Sequence, residues 1–210
     1  MPKTKRNQKS FYAQIVYPTL VMLIISSVVT GAIAIVTELT QDKIDIQSEL
    51  RIQKAVLSAL SDENRLLSDA AIIERYEMLI TEKNVKDTPV FIAKQNDRVI
   101  GIVVEMNGPA LWGNVQGFFA ISADMKTLLG VDFVAHSETP GLGGRIDELW
   151  FKKQFRDVPI PLKSPTVIIR PAENGKIDGI TGATLTVNAI RDMVNAAILE
   201  ALDQLKGVSL

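Results

Sequence analysis

The sequence predicts an α+β fold: a single N-terminal transmembrane helix, a helical stalk, and an antiparallel-sheet domain closed by a C-terminal helix. Three observations predict it: a long uncharged stretch near the N-terminus, two pairs of β-rich segments around short polar turns, and a final segment with one apolar stripe. Several hairpins followed by one packed helix are typical of an antiparallel sheet covered by a helix. We expect a cytoplasmic N-terminus at 1–10, the membrane helix at 11–37, the stalk at 38–88 and the sheet domain at 89–210.

The N-terminal segment is long enough to span a lipid bilayer. No residue between Phe11 and Val36 is charged. About 26 residues at roughly 1.5 Å per residue extend about 39 Å as a helix, which exceeds a hydrocarbon core of about 30 Å. A cleaved signal peptide has a shorter apolar region of roughly 7–15 residues, so we expect an uncleaved anchor.

The charges on either side of this segment predict its orientation in the cytoplasmic (inner) membrane. The flanking charged residues are Lys3, Lys5, Arg6 and Lys9 before the segment and Glu38, Asp42, Lys43 and Asp45 after it. Because basic flanks remain in the cytoplasm, we expect a cytoplasmic N-terminus and an extracytoplasmic C-terminal domain.

Two helices are predicted in the stalk, at residues 42–61 and 68–82. Apolar residues recur there at helical spacing, and neither range contains glycine or proline. We expect these helices to pack or to act as a spacer, without a chemical role.

The sheet domain is predicted from two hairpin patterns. The first joins strands at 90–93 and 99–104 through Asn96-Asp97, and the second joins strands at 115–122 and 128–135. The other predicted elements are a helix at 145–155, a strand at 167–169 after a proline-rich loop, and the closing helix at 185–206.

Composition excludes several classes of function. The formal net charge of −1 provides no basic surface for nucleic acid. The absence of cysteine excludes thiolate-held iron–sulfur clusters, disulfides and thiol catalysis from this chain alone. Since His136 is the single histidine, we predict no metal site and no bis-histidine haem. A redox role would require a cofactor that needs neither residue type, and a flavin meets that condition.

Two glycine-rich segments are the candidates for ligand binding. Thr181-Gly182-Ala183-Thr184, with Asp178 three residues earlier, leads into the closing helix, and Glu138–Gly144 (Glu-Thr-Pro-Gly-Leu-Gly-Gly) follows a strand. Glycine lets the backbone approach a ligand, and the first turn of a helix favours phosphate. A threonine at the start of a helix is also a common N-cap, worth about 1 kcal/mol, so the segment that ends at Thr184 is a weak signal by itself.

Taken together, these segments resemble the flavin-binding domain of the small flavoprotein subunit in Rnf and Na⁺-translocating NADH:quinone reductase (Nqr) complexes. The resemblance implies FMN attached through a phosphoester to Thr184, and no catalytic residue. The residues that it implies in contact with the cofactor are Trp112, Glu138, Thr139, Gly141, Leu142, Thr181, Gly182 and Ala183. His136 next to Glu138 suggests a general base, but electron transfer through a flavin needs none, and we do not assign that role.

The resemblance implies an electron-transfer subunit of an ion-translocating oxidoreductase (a translocase), without independent catalysis by this chain. The expected partners are the other membrane and peripheral subunits, the lipid bilayer and a flavin transferase. Chain length favours the G subunit of a Rnf complex (ferredoxin:NAD⁺), whereas Gly143-Gly144 and the Gly-x-x-Leu-Trp segment favour the C subunit of Nqr. A free-standing extracytoplasmic flavoprotein and an anchored binding module without a redox role are the remaining alternatives.

Overall fold

A computed structural model describes residues 12–86, 88–161 and 165–208, with the side chains of Tyr12 and Ala13 excepted. The predicted cytoplasmic segment 1–10, with its four basic residues, lies outside the described residues. The chain divides into two compact units, one ending at Ser48 and one beginning at Glu49.

A long helix begins in the first unit. A π-helical turn at Tyr12–Val16 leads into α1, which spans Tyr17–Leu60 without interruption. Its N-terminal part is long and apolar enough to cross a membrane, and its large side chains are exposed, as at Leu23 and Ile33. This helix fits a single-pass membrane anchor.

The second unit is built on a six-stranded antiparallel sheet whose strands follow one another in chain order. The strands are β1 (Ile80–Val85), β2 (Thr88–Gln95), β3 (Arg98–Pro109), β4 (Asn114–Ser122), β5 (Thr127–Ala135) and β6 (Val158–Pro159). The helical elements are the end of α1, a 3-10 turn at Asp62–Leu66, α2 (Asp69–Leu79), a 3-10 turn at Gly143–Asp147, α3 (Leu149–Lys153) and α4 (Thr184–Leu205). The predicted fold class is confirmed.

Both faces of the sheet are covered, because successive side chains of a strand point to opposite faces. On β2, Ile92 points into the core beneath α4, whereas Phe91 points into a second core formed with α1 and α2. Residues Ala55–Ala59 of α1 are buried in or beside that second core. The sheet is therefore the middle of three layers.

Three predicted elements differ from the structure. The second stalk helix ends at Leu79, and Ile80–Val85 is edge strand β1, because its backbone pairs with β2. The helix predicted at 145–155 is the shorter α3 preceded by a 3-10 turn.

The strand predicted at 167–169 is wrong, since its one ladder contact is an isolated parallel bridge between Ile169 and Ile177. The reason is a side chain on α4. Asn195 accepts a hydrogen bond from the Val167 N–H at 2.8 Å and donates one to the Val167 carbonyl at 2.9 Å, satisfying the groups that a neighbouring strand would have bound.

Candidate functional site

The N-terminus of α4 presents backbone N–H groups without a side-chain cap. The N-cap residue is Ala183, whose methyl group cannot accept a hydrogen bond. The Val187 N–H bonds to the Ala183 carbonyl at 3.0 Å, so the three preceding N–H groups have no carbonyl partner within the helix. Thr184 is the first helical residue and its side chain is exposed. Thr184 is therefore not the N-cap, and the capping interpretation of this threonine is wrong.

The turn before α4 contacts the other glycine-rich segment. Gly182 has φ +80°, a conformation that favours glycine, and a side chain there would begin 3.0 Å from Leu142 Cδ2. Thr181 and Gly182 are exposed, and Ala183 is buried. The structure thus brings together the two segments that the sequence singled out.

The Glu138–Gly144 segment folds into a compact turn around one carbonyl. The Thr139 carbonyl accepts hydrogen bonds from the N–H groups of Leu142 at 3.1 Å and Gly144 at 2.9 Å. Gly141, with φ +75°, forms the exposed tip. Thr139 and Leu142 are exposed, and Leu142 lies next to Gly182 in the turn before α4.

Glu138 is buried, and its carboxylate ties three segments together. Oε1 accepts a hydrogen bond from the Trp112 backbone N–H at 2.9 Å, and Oε2 accepts one from the Thr186 hydroxyl at 2.5 Å. Thr186 is fully buried in the first turn of α4. A Cβ at Gly143 would lie 2.6 Å from Glu138 Oε2 and 2.7 Å from Thr186 Oγ1, so only glycine fits beside this pair.

Sequence reasoning missed Thr186. The sequence feature that could have indicated it is its position on the buried side of the closing helix, next to Val187 and one turn before Ile190. A hydroxyl among apolar residues of a buried helix face requires a hydrogen-bond partner. That signal does not identify the partner, because Glu138 is 48 residues away in the chain.

Exposed apolar side chains lie on the segments that meet at the start of α4. Trp112 is 67% exposed, Leu185 64% and Leu142 44%. Exposed apolar groups beside an uncapped helix N-terminus are suited to a ligand with an anionic group and an aromatic ring. The structure therefore fits a flavin nucleotide, which carries both kinds of group.

Asp178 holds the turn that precedes the Thr184 motif. Its carboxylate accepts a hydrogen bond from Arg170 Nη1 at 2.7 Å. Its backbone N–H donates to Gln154 Oε1 at 2.6 Å, and the Gln154 amide donates to its carbonyl at 3.4 Å. These contacts orient the turn that leads into the segment ending at Thr184.

His136 lies between a carboxylate and the backbone. Its Nδ1 accepts a hydrogen bond from the Glu138 N–H at 3.2 Å, and its Nε2 lies 2.8 Å from Asp147 Oδ2. Because Nδ1 is the acceptor, the neutral ring carries its proton on Nε2 and donates to Asp147. Both ring nitrogens are occupied by positioning contacts.

Asp147, which accepts from His136, also belongs to a network of charged side chains. Lys152 Nζ lies 3.3 Å from Asp147 and 2.5 Å from the buried Asp132, whose other oxygen accepts a 2.5 Å bond from Arg65. The network therefore connects the glycine-rich turn to the 3-10 turn after α1.

A further ion pair lies next to the Glu138–Gly144 segment. The partly exposed Arg145 donates to Glu148 at 3.0 Å and lies over the Trp150 ring. Hydrogen bonds from Arg145 and then from Trp150 lower the pKa of Glu148. Such exposed pairs contribute little to stability.

Among residues 12–86, 88–161 and 165–208, no group of three or more Asp, Glu or His side chains is placed to hold a metal ion.

Comparison with known proteins gives consistent similarities. The FMN-binding domain family matches residues 111–199. The chain is 30% identical over 183 residues to the G subunit of the ion-translocating oxidoreductase complex of Methanosarcina acetivorans, covering 84% of this chain and 89% of that protein. It is 29% identical over 147 residues to the C subunit of the Na⁺-translocating NADH-quinone reductase of Pseudomonas aeruginosa, covering 65% of this chain and 53% of that protein. The chain thus spans about half the length of the second relative.

Two solved structures share the fold. The C subunit of the Na⁺-translocating NADH-quinone reductase from Parabacteroides distasonis superposes with a TM-score of 0.65 at 23% identity, covering 80% of this chain and 97% of that structure. The NqrC structure from Shewanella oneidensis gives a TM-score of 0.51 at 19% identity, covering 68% and 79%. At these identities the likeness concerns the fold alone.

Proposed function

The chain belongs to the family of FMN-binding subunits of Rnf- and Nqr-type ion-translocating oxidoreductase complexes, and from this premise we propose that it carries FMN as a phosphoester on Thr184. In this proposal it is the electron-transfer G subunit of a Rnf-type complex working between ferredoxin and NAD⁺. Its sheet domain lies on the extracytoplasmic side of the membrane, and a flavin transferase attaches the cofactor.

The observation that carries the proposal is the position of Thr184. Its exposed side chain is the first of α4, directly beside backbone N–H groups that no side chain at the N-cap can satisfy. Those N–H groups favour a phosphate at the place where the hydroxyl is accessible. The resemblance to the family's attachment motif and this geometry both favour the same residue.

Retention of the cofactor favours attachment over simple binding. The interaction between a phosphate and a helix N-terminus contributes about 0.3–1 kcal/mol, which is too weak to retain a nucleotide outside the cell. A bond from Thr184 Oγ to phosphorus prevents loss. It would form as the hydroxyl attacks an activated flavin phosphate donor (a phosphoanhydride), whose anhydride P–O bond breaks to release the other phosphate-bearing part while the hydroxyl proton is released.

The other residues hold and cover the ring in this proposal. FMN supplies one- and two-electron redox chemistry when bound. Leu142 and Trp112 provide apolar contact, and Thr139 provides exposed polar groups on the facing turn. Glu138 acts mainly by holding the Trp112 and Thr186 segments in place, since both of its oxygens already accept hydrogen bonds from the protein.

The attachment is tested by denaturing electrophoresis and ultraviolet fluorescence of material made with a flavin transferase. We expect a fluorescent band for the wild type and for Thr81→Ala, and none for Thr184→Ala. Thr81 is the control because it is an exposed threonine on β1, outside the proposed FMN site. A fluorescent Thr184→Ala band, or a wild-type tryptic peptide without added flavin phosphate, would refute the tether.

Orientation is tested through the absence of cysteine from the chain. Asp97→Cys places a single thiol in the exposed β2–β3 turn, and Lys5→Cys places one before the membrane segment. A membrane-impermeant maleimide applied to intact spheroplasts is expected to label only the Asp97→Cys chain. Labelling of the Lys5→Cys chain alone would indicate the opposite orientation.

The assignment to a Rnf-type complex rests on coverage. The chain spans 89% of the Rnf-type relative and 53% of the Nqr-type relative. We expect the complex purified through this chain to reduce NAD⁺ with reduced ferredoxin. Quinone reduction by NADH in its place would assign the chain to the Nqr type, and isolation of the chain without other subunits would favour a free-standing flavoprotein.

A further inference from the structure

A groove of about 530 Å³ lies between α4 and β3, beginning more than one helical turn beyond Thr184. Its floor is apolar and includes the buried side chains of Val104 and Met106 on β3 and Ala201 on α4. None of the groove residues is part of the proposed FMN site. The groove therefore requires a separate explanation.

One wall of the groove is an open edge of the sheet. The pairing of β3 with β2 ends at Val104 opposite Val90, whereas its pairing with β4 continues to Pro109 opposite Asn114. Within the described strands, the segment Glu105–Pro109 thus has a partner strand on one side only. An unpaired strand edge offers backbone donors and acceptors to an extended chain.

The opposite wall is a face of α4 with small side chains. Ala189, Ala196 and Ala197 line it at helical spacing, and Met193 lies between them. Alanine at these positions leaves room for a second backbone close to the helix. An extended segment beside β3 would fit between the strand edge and these side chains.

The charge of the groove selects the kind of segment. Glu105, Asp192 and Glu200 line it, and its described lining contains no lysine or arginine. Within the part of the chain that the structure describes, Glu105 and Glu200 bond only to the neutral amides of Gln116 and Gln204, so neither carboxylate has a cationic partner there. Asp192 pairs with the neighbouring Arg191.

We propose that this groove binds an extended, basic segment of another subunit of the complex, which adds a strand beside Glu105–Pro109 and places lysine or arginine side chains against Glu105 and Glu200. The strand edge supplies backbone hydrogen bonds, the apolar floor buries alternate side chains, and the carboxylates select the charge. The proposal rests on the proposed function only in taking the partner to be a subunit of the complex.

The first test uses a photo-crosslinking amino acid at Ala196, an exposed position in the groove, within the assembled complex. Leu199 is the control, because it is exposed on α4 outside the groove. We expect mass spectrometry to map crosslinks from position 196, and not from 199, to a lysine- or arginine-rich segment of one other subunit. Crosslinks from 196 to a second copy of this chain, to lipid or to an acidic or helical segment would overturn the proposal, as would the absence of crosslinks.

The second test reverses charge. We expect Glu200→Lys to weaken recovery of the partner subunit with the tagged chain about tenfold, because it replaces attraction by repulsion, with the loss increasing at low salt. Asp203→Lys makes the same change at an exposed α4 residue outside the groove and is expected to leave recovery unchanged. Equal effects of the two variants would overturn the proposal. Flavin fluorescence of the same samples separates failure of the groove proposal from failure of the Thr184 tether. Loss of the tether would remove the fluorescence without changing recovery of the partner subunit.

Discussion

The hydroxyl of Thr186 donates a hydrogen bond to Glu138 Oε2 across 2.5 Å, and both residues are buried. Because the other Glu138 oxygen accepts from the Trp112 N–H, one carboxylate fixes the first turn of α4 against two loops. The residues that would contact the cofactor lie on those three segments. The precision of the site therefore depends on a pair that need not touch the ligand.

We expect Thr186→Val to lower the free energy of unfolding by about 1–3 kcal/mol, because it leaves a buried carboxylate oxygen without its donor. Urea denaturation followed by tryptophan fluorescence measures the change. Thr139→Val, at an exposed position, is the control and is expected to change stability by less than about 0.5 kcal/mol. Similar losses in both variants would contradict a special role for the pair.

The two glycines of the same turn are expected to respond differently to alanine. Gly143→Ala places a methyl group 2.6 Å from Glu138 Oε2, so the carboxylate must move and both of its hydrogen bonds are disturbed. Gly141→Ala meets no neighbouring atom but has φ +75°, which costs about 1–2 kcal/mol for an L-residue. Glu138 holds the Trp112 backbone, so the tryptophan signal in near-ultraviolet circular dichroism should change for Gly143→Ala. It should not change for Gly141→Ala. The reverse pattern would show that the carboxylate is free to move.

Loss of the buried carboxylate of Asp132 is expected to be severe. Asp132→Ala leaves Arg65 and Lys152 facing each other without the carboxylate that lies 2.5 Å from each. Breaking a buried ion pair by removing one partner costs about 3–5 kcal/mol. Asp192→Ala removes an exposed pair with Arg191 and should cost at most about 1 kcal/mol. Thermal unfolding of both variants compares the two losses, and equal midpoints would contradict the role of burial.

The lowered pKa of Asp62 predicts that the stability of the fold depends on pH. Burial acts to raise the pKa of Asp62, but hydrogen bonds and charge from Arg65 and Arg156 outweigh it, and the pKa lies below its usual value of 3.8. A carboxyl whose pKa is lower in the folded state stabilises the fold above its unfolded pKa, and this stabilisation is lost as pH falls through the folded-state pKa. We therefore expect the stability difference between wild type and Asp62→Asn to be largest near neutral pH and to shrink between about pH 5 and pH 2. A difference that does not change over this range would contradict the ion pairs.

The hairpins were predictable because their signals are local. Asn96 and Asp97 both have positive φ, as a tight turn between paired strands requires. Strand β2 ends directly before them and β3 begins directly after them. The apolar stripe likewise predicted α4 within one residue at each end. Each of these elements contains in its own sequence the feature that determines its structure.

Elements that depend on distant partners were not predictable. Ile80 continues the helical spacing of the residues before it, but Ile80–Val85 is a strand because β2 provides its hydrogen bonds. Val167 is kept out of a sheet by Asn195, 28 residues later. The contact of Glu138 with the cofactor stays a prediction, but its bond to Thr186 could not be predicted, because it forms only when two separate segments fold together.

The end of α1 has a consequence for preparing the protein without its apolar segment. Ala55–Ala59 are buried within the sheet domain, and Arg156 donates hydrogen bonds to the carbonyls of Ser58, of Ala59 at 2.6 Å and of Leu129 at 2.8 Å. A fragment for crystallisation or NMR that begins near Glu49 retains these groups. A fragment that begins after Leu60 would expose the apolar surface beneath Phe91 and Phe118 and leave that guanidinium short of acceptors, so it should aggregate.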